Sequence, residues 1–248
     1  MLTASIRRAH TIVVVSLFMI MLPSLQSFRN SVYKGYPTLS SRLHSTSESD
    51  ILSSTNAWLN NFVLPLKLCP FAYRPLVTHR ESEFTLKYLS PSLSLEQTLE
   101  GISREAASLS SLPEGSKSTT ILVSPHPDFS SFLNYMSFVN DYVNNLQPLS
   151  DGLVQCAPFH PGFTFSGVPS TSSDNSVNRS PYPMFHLLLE SDVSSAVEKW
   201  QERGEGGSTS DIWARNSDIL QYLGPSRIDN VARDGPSPSL LEEIKRRF

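Results

Sequence analysis

The chain has few cysteines and no apolar run long enough to cross a membrane. Its 248 residues contain two cysteines, Cys69 and Cys156, too few for a small disulfide-stapled scaffold. These two thiols either pair with each other or stay free. The apolar run from Thr11 to Leu22 has 12 residues, whereas a spanning helix needs about 20. We therefore expect no membrane segment in the mature protein.

Basic charge is also scarce. From Ile51 onward, 15 Lys and Arg residues stand against 21 Asp and Glu residues. Proteins that bind nucleic acid usually carry a basic stripe or patch, and this part of the sequence has none. The charge pattern therefore argues against nucleic acid as a partner.

The first 50 residues have the pattern of a targeting leader. Arg7 and Arg8 precede the apolar run, and small residues follow it, which predicts a signal peptide over residues 1–27. Residues 28–50 are rich in serine and contain no acid before Glu48, as in transit peptides. A signal peptide followed by a transit peptide, with Phe28 at the junction, resembles the bipartite leaders of algae with complex plastids. We expect delivery to such a plastid; the alternative is secretion with a disordered serine-rich segment.

Residues 51–224 have the periodicities of one soluble α/β domain. Strand patterns alternate with amphipathic helix patterns, and Ser94 with Gln97 forms a capping-box signature. We predict a small mixed or mostly parallel sheet of three to four strands packed with about five helices, followed by a flexible tail over 225–248. The predicted strands are 84–89, 118–123, 152–157 and 184–189, the last of these being either a strand or a short helix; the predicted helices are 53–66, 94–109, 128–146, 193–200 and 211–223.

His160 lies just after the third predicted strand, between Phe159 and Pro161. Ligands of α/β sheets bind at the carboxyl ends of strands, and a proline-stiffened histidine there is a candidate general base or ligand. The alternative is a loop histidine whose ring is satisfied by a backbone carbonyl.

His186 and Glu190 are four residues apart. This spacing places them on one face of either a helix or a strand. A histidine and a carboxylate on one face can act as an acid–base pair or as two metal ligands. The alternative is that Glu190 orients His186 for packing, or that both side chains are solvated.

Arg179 is the only Lys or Arg between Lys117 and Lys199. Between Asn178 and Ser180, in a proline-braced turn, its planar guanidinium is a candidate for holding a carboxylate or phosphate. Asn178 and Tyr182 are candidates for further substrate contacts. The competing interpretation is a structural salt bridge of Arg179 with Glu190 or Asp174.

Cys69 is a further candidate for substrate contact. We expect it at the C-terminus of the first predicted helix, where the helix dipole disfavours a thiolate. Because no second cysteine follows at the required spacing, a thioredoxin-like dithiol mechanism is not expected.

Four strings together resemble the domain-of-unknown-function family 1415, which is best represented in bacteria. They are Leu68 to Ala72, Phe159 to Pro161, Asn178 to Leu188, and Arg215-Asn216. The resemblance spans about Asn56 to Gly224 and implies a compact one-domain protein. It implies no particular reaction, cofactor or catalytic residue. Two departures are Leu189, where the family usually has Arg, and the sequence of residues 173–177.

Three functions remain open from the sequence. The first is an enzyme or binding protein for a small anionic molecule, with His160, His186 and Glu190 as acid–base groups and Asn178, Arg179, Tyr182 and Cys69 as substrate contacts. The second is a non-catalytic structural or interaction domain. The third is a metal site built from His160, His186, Glu190 and Cys69. Convergence of these side chains in one open cleft would favour the first; burial with partners would favour the second.

Overall fold

A computed structural model describes residues 46–73, 84–113, 116–144, 152–202 and 209–248. The predicted signal peptide and most of the predicted transit peptide lie outside these residues. Within the described part, no helix is both long and apolar enough to span a bilayer.

The described strands form one mixed sheet, which confirms the predicted α/β class. They are β1 (Phe84–Tyr88), β2 (Thr119–Val123), β3 (Val154–Phe159) and β4 (Met184–Leu189), in the spatial order β1-β2-β4-β3. β1 and β2 are parallel, and β4 is antiparallel to both β2 and β3. β1, β2 and β3 therefore end at one edge of the sheet, where β4 begins.

Helices pack on both sides of this sheet. They are α1 (Glu48–Trp58), α2 (Pro70–Tyr73), α3 (Leu95–Ser110), α4 (Phe132–Phe138), α5 (Glu190–Glu202), α6 (Thr209–Asp234) and α7 (Pro238–Arg247). The capping box is confirmed: the Ser94 hydroxyl accepts the Gln97 N–H, and the Gln97 side chain accepts the Ser94 N–H. α1 continues into a π-helical turn over Leu59–Val63.

The long helix predicted over 128–146 is interrupted. A 3-10 turn, Pro127–Ser130, is followed by Ser131 in an extended conformation, and Ser131 then caps α4 through the Asn134 N–H. A π-helical turn over Val139–Val143 follows α4. Serine competes for backbone hydrogen bonds and favours cap positions over helix interiors, which explains the break.

The C-terminal segment differs most from expectation. We predicted a helix end at Gly224-Pro225 and a flexible tail over 225–248. The helix does break at Gly224, whose φ of 69° is not helical and is tolerated by glycine, but a second helical segment then continues α6 to Asp234. Beyond the kink, Ile228, Val231 and Ile244 are buried in the core.

The core has two clusters, one on each side of the sheet. On the side that we call the α3 face, Leu122, Phe185 and Leu187 pack with α3 and α4. On the side that we call the α1 face, Ile121, Val123 and Met184 pack with α1, α6 and α7. Because side chains alternate along a strand, His186 and Leu188 lie on the α1 face with Met184.

Register fixes the neighbours of these two residues. Leu188 pairs with Thr119 on β2 and with Gln155 on β3, and His186 pairs with Ile121 and Ala157. One cross-strand row on the α1 face is therefore Thr119, Leu188 and Gln155. The next row is Ile121, His186 and Ala157.

Candidate functional site

His160 is held by the main chain through both ring nitrogens. Its Nδ1 accepts the Gly162 N–H at 2.9 Å, so the proton is on Nε2, which donates to the Phe129 carbonyl at 2.8 Å. The ring stacks on Tyr135 and is 2% exposed. Burial lowers the pKa of His160 to about 4. This geometry corresponds to the structural alternative, a neutral histidine satisfied by the backbone.

His126 repeats the same arrangement one loop earlier. Its Nδ1 accepts the Asp128 N–H at 3.1 Å, and its Nε2 donates to the Leu93 carbonyl at 3.0 Å. Both histidines begin a His-Pro-x-Phe turn in which the Phe N–H bonds back to the His carbonyl. Each turn follows a strand, and its histidine Nε2 binds a backbone carbonyl in the loop that follows an earlier strand.

The string from Asn178 to Tyr182 also makes internal contacts. The buried Asn178 amide donates to the Pro158 carbonyl at 2.9 Å, and the Asn178 carbonyl accepts the His160 N–H. Arg179 donates from Nε to Phe163 O at 3.0 Å and from Nη2 to Ser170 O at 2.6 Å. Tyr182 packs against the α1-face cluster. The carbonyls of the 163–170 loop therefore engage these two Arg179 donors.

Asp174, considered above as a partner for Arg179, binds α6. Ser217 donates to its Oδ1 at 2.6 Å, and Gln221 donates to the same oxygen at 3.1 Å. Burial acts to raise the pKa of Asp174, but hydrogen bonds from Ser217, Gln221 and Ser172 outweigh it and hold the pKa below its usual value. The loop before the Asn178 string is thereby fixed to α6.

We expected Cys69 at a helix C-terminus, but the structure places it elsewhere. It precedes the short helix α2, and its thiol receives the N–H groups of Phe71 and Ala72; burial nevertheless raises the pKa of the thiol. α6 holds this segment, with the Asn216 amide donating to Leu68 O at 2.7 Å and Arg215 Nη2 donating to Leu66 O at 3.3 Å. A raised pKa argues against an activated nucleophile.

His186 is buried on the α1 face and is hydrogen-bonded to Thr119. The Thr119 hydroxyl donates to Leu187 O at 2.9 Å, so it accepts the His186 Nε2 proton at 2.6 Å. This leaves Nδ1 of the neutral ring as an acceptor. Burial lowers the pKa of His186 to about 4.

Glu190 is the first residue of α5 and lies beside the row of Thr119, Leu188 and Gln155. Gln155 donates to its Oε2 at 2.7 Å, and the Ser194 hydroxyl lies 3.4 Å from Oε1. Burial raises the pKa of Glu190 to about 7, against the opposing effect of these hydrogen bonds. Glu190 can therefore exchange a proton near neutral pH.

A pocket opens next to this row, over the first residue of β2. It has a volume of about 440 Å³, including space open to solvent, and its lining has polar and apolar parts. The polar residues are Lys117, Ser118, Thr119, Asp192 and Ser195, and the apolar residues are Phe71, Leu188, Leu189 and Ala196. Lys117 has φ 55°, in the left-handed region that non-glycine residues seldom adopt.

Sequence reasoning missed the polar lining of this pocket. Its residues come from the segment before β2 and from α5, which are about 75 positions apart in the chain, and only the pairing of β2 with β4 brings them together. The family string did point to one wall, because Phe71 belongs to the string from Leu68 to Ala72. No sequence signal marks Lys117, because its backbone conformation cannot be inferred from its residue type.

Five of the seven predicted site residues fall into two groups. His160, Asn178 and Arg179 lie at the edge where β3 ends, and their side chains bind main-chain groups. His186 lies within β4 on the α1 face. Glu190 directly follows the other end of β4, near the pocket. In the described part of the chain, no group of three or more His, Cys, Asp or Glu residues could hold a metal ion. His160, His186, Glu190 and Cys69 therefore do not come together as the metal site considered above.

A family model described as a protein of unknown function (DUF1415) matches residues 50–230. No curated protein and no solved structure matches the chain. The match extends from α1 into the part of α6 beyond Gly224, and it includes every predicted site residue. The chain therefore belongs to the DUF1415 family.

Proposed function

We propose that the domain binds a small molecule carrying an anionic group in the pocket between β2 and α5. The observation that carries the proposal is the pocket itself, which is lined by a lysine, an aspartate, three hydroxyl residues and four apolar residues. Binding sites for small molecules combine apolar walls with a few convergent polar groups. In this proposal Lys117 takes the role of anion partner that the sequence suggested for Arg179.

The backbone of Lys117 supports this assignment. A left-handed conformation in a non-glycine residue costs on the order of 1 kcal/mol and tends to persist at functional sites. A glycine at position 117 would relieve that cost, yet the chain has a lysine that lines the pocket. In this proposal, the function of the lysine side chain explains why a residue with an unfavourable backbone conformation is present at position 117.

Glu190 is the acid–base group of the proposal, and His186 is a positioning residue. His186 binds the hydroxyl of Thr119, which lines the pocket. Glu190 adjoins the row that contains Leu188 of the pocket floor. With a pKa of about 7, it is the group suited to proton transfer at physiological pH.

Two matched variants test the proposal. Lys117→Gly removes the pocket cation and relieves a left-handed backbone, and Lys67→Gly relieves the same conformation, φ 54°, outside the pocket lining. We expect both variants to be as stable as the wild type, or more stable by up to about 1 kcal/mol. Only Lys117→Gly should weaken binding of small carboxylates, phosphate esters and amino acids, screened at millimolar concentration by thermal shift and ligand-detected NMR.

Equal binding by all three proteins would refute the role of Lys117. If no compound of any class binds the wild type, the pocket is not a binding site, and the alternative of a non-catalytic interaction domain takes its place. That alternative has its own support, because His160, Asn178 and Arg179 all bind main-chain groups and make the Asn178 string a rigid brace.

A further inference from the structure

The two edge strands of the sheet differ in how they are protected against pairing with another chain. Unpaired strand edges invite such pairing, and proline is one of the residues that prevents it. On β3, Pro158 has no N–H group to donate, and its carbonyl accepts the Asn178 side-chain amide at 2.9 Å. β1 forms the opposite edge and contains no proline. β1 is therefore the less protected edge.

The pairing of β1 with β2 shows which main-chain groups of β1 point away from the sheet. The Leu89 N–H donates to the Val123 carbonyl at 2.8 Å, so Leu89 and every second residue before it direct their main-chain groups toward β2. The N–H and C=O groups of the alternate residues, Phe84, Leu86 and Tyr88, therefore point outward. Among the residues that the structure describes, none donates to or accepts from these outward groups. β1 thus presents a row of three donors and three acceptors.

The side chains of β1 suit contact with another apolar strand. Phe84, Leu86 and Tyr88 are half-buried and pack against the α1-face cluster. Lys87, the one charged residue of β1, lies on the α3 face, where Glu105 accepts from its ammonium group at 2.6 and 2.7 Å. A lysine on an edge strand discourages pairing, but this lysine already has a carboxylate partner. Neither proline nor an unpaired charge therefore guards this edge.

We infer that β1 pairs with β1 of a second copy of the chain, which joins two four-stranded sheets into one sheet of eight strands. The pairing is antiparallel about a two-fold axis at Leu86, which faces its own copy. Phe84 faces Tyr88 of the second copy, so that each outward N–H group meets an outward C=O group. The cross-strand pairs are aliphatic at the centre and aromatic at both ends, and such pairs stabilise antiparallel strands. The inference concerns a different surface from the pocket and does not depend on the proposed function.

The charge pattern of β1 makes the strand complementary to itself, as the interface of a two-fold dimer must be. In this register Lys87 faces Thr85 of the second copy, so no charged residue lies directly opposite a like charge. A shift by one residue would place outward groups opposite inward groups. A shift by two residues toward Lys87 would place this lysine opposite its own copy, which is destabilising. The register centred on Leu86 avoids both of these arrangements.

Cysteine substitutions in the full-length protein test the register directly. Leu86→Cys places two Cα atoms about 5.5 Å apart, within the range that a disulfide spans, so mild oxidation should link this variant into a dimer. Phe84→Cys and Tyr88→Cys should each stay unlinked alone, because each residue lies four strand positions from its own copy. An equimolar mixture of these two variants should link, since the two positions face each other. Wild-type protein, whose Cys69 and Cys156 are free thiols, is the matched control and should stay unlinked.

Charge substitutions at the two-fold axis provide a second test. Leu86→Lys and Leu86→Glu each place like charges opposite one another, so each variant should sediment as a monomer at concentrations where wild-type protein is a dimer. An equimolar mixture of the two variants should recover the dimer, because lysine then faces glutamate. Dimers of both separate variants as tight as the wild-type dimer would contradict the inference.

Measurements on the wild-type protein need no variant, so a misfolded variant cannot obscure them. Sedimentation equilibrium should give twice the mass of one chain, and the amide protons of Leu86 and Tyr88 should exchange slowly only at concentrations where the dimer forms. A wild-type monomer at every concentration overturns the inference, and so does a dimer in which folded Leu86→Cys stays unlinked. Slow exchange of these amides in a monomer would show that another segment of the chain covers β1, which also overturns it.

Discussion

At the scale of single residues, the buried histidines tie the stability of the domain to pH. His160 and His186 are neutral in the folded protein, because burial lowers their pKa to about 4. In an unfolded chain the pKa of histidine is about 6.5. Between these values the unfolded state binds more protons than the folded state, so stability is fully present above about pH 6.5 and is lost as the pH falls.

We predict that lowering the pH from about 7.5 to about 5 removes on the order of 2 kcal/mol of unfolding free energy per histidine. Urea denaturation at several pH values measures this. His160→Gln keeps a donor for the Phe129 carbonyl but no longer titrates, so its pH dependence should be shallower. Equal slopes for His160→Gln and wild type would show that His160 is not neutral and buried in solution.

Glu190 acts in the opposite direction. Its pKa in the folded protein is raised to about 7, so its contribution to stability is fully present below about pH 4.5 and is lost as the pH rises through 7. It therefore offsets part of the histidine effect in wild-type protein. Glu190→Gln removes this offset, and its stability should fall more steeply on acidification than that of the wild type.

Arg179 gives a second test at the residue scale. We predict that Arg179→Ala lowers the unfolding free energy by about 2 kcal/mol, because the carbonyls of Phe163 and Ser170 lose charged donors. Arg179→Lys should also destabilise the protein, since an ammonium group cannot reproduce the guanidinium fork. A fully stable Arg179→Ala variant that no longer binds small anions would instead restore the sequence-based anion-binding role.

The residue types that a catalytic site needs are also those that buried turns use, which limits prediction from sequence. His160 stands after a strand with prolines around it, and that context fits both a catalytic base and a backbone latch. The repeated His-Pro-x-Phe pattern at His126 was visible in the sequence. It becomes informative only when both Nδ1 atoms are seen to accept an N–H two residues on.

At the scale of elements, the sequence predicted those features that depend on residues close together in the chain. The strand at 84–89 and the capping box at Ser94 follow from alternation and from cap chemistry. The apolar run at 184–189 has no alternation, so the sequence left a strand and a short helix both open there. The order β1-β2-β4-β3 does not follow from local patterns, because strand pairing depends on contacts between segments distant in the chain. The helix break predicted at Gly224 is present. Glycine and proline mark where one helix ends, but they do not show whether the following segment packs on the core, as Ile228, Val231 and Ile244 do.

We predict that a chain ending at Gly224 is destabilised severely. Truncation at Gly224 removes the buried side chains of Ile228, Val231 and Ile244 from the α1-face cluster. Each lost side chain lowers the free energy of unfolding by roughly 1.5–3 kcal/mol. Comparing its urea midpoint and its near-ultraviolet dichroism with those of the full-length protein tests this. A truncated chain with unchanged stability would show that residues 225–248 are the loosely attached tail that the sequence suggested.

At the scale of the whole molecule, the predicted leader can be tested separately from the folded domain. The first helix begins at Glu48, at the end of the predicted transit peptide, so removal of residues 1–45 leaves the described elements complete. We predict that residues 1–50 direct a fluorescent protein into the plastid of a diatom, and that Phe28→Ala retains the fusion outside the plastid stroma. Secretion of the wild-type fusion would favour the alternative of a signal peptide alone.

The position of β4 limits the order in which the sheet can assemble. β4 is the last strand to be synthesised, yet it lies between β2 and β3, which share no sheet hydrogen bonds with each other. Until β4 is in place, β1 and β2 can pair with each other, but β3 has no partner in the sheet. The hydrogen bond from His160 to Phe129, made between residues already synthesised, can keep the two halves together. The space between β2 and β3 is as wide as one strand, and the Asn178 to His186 string leads into the strand that fills it.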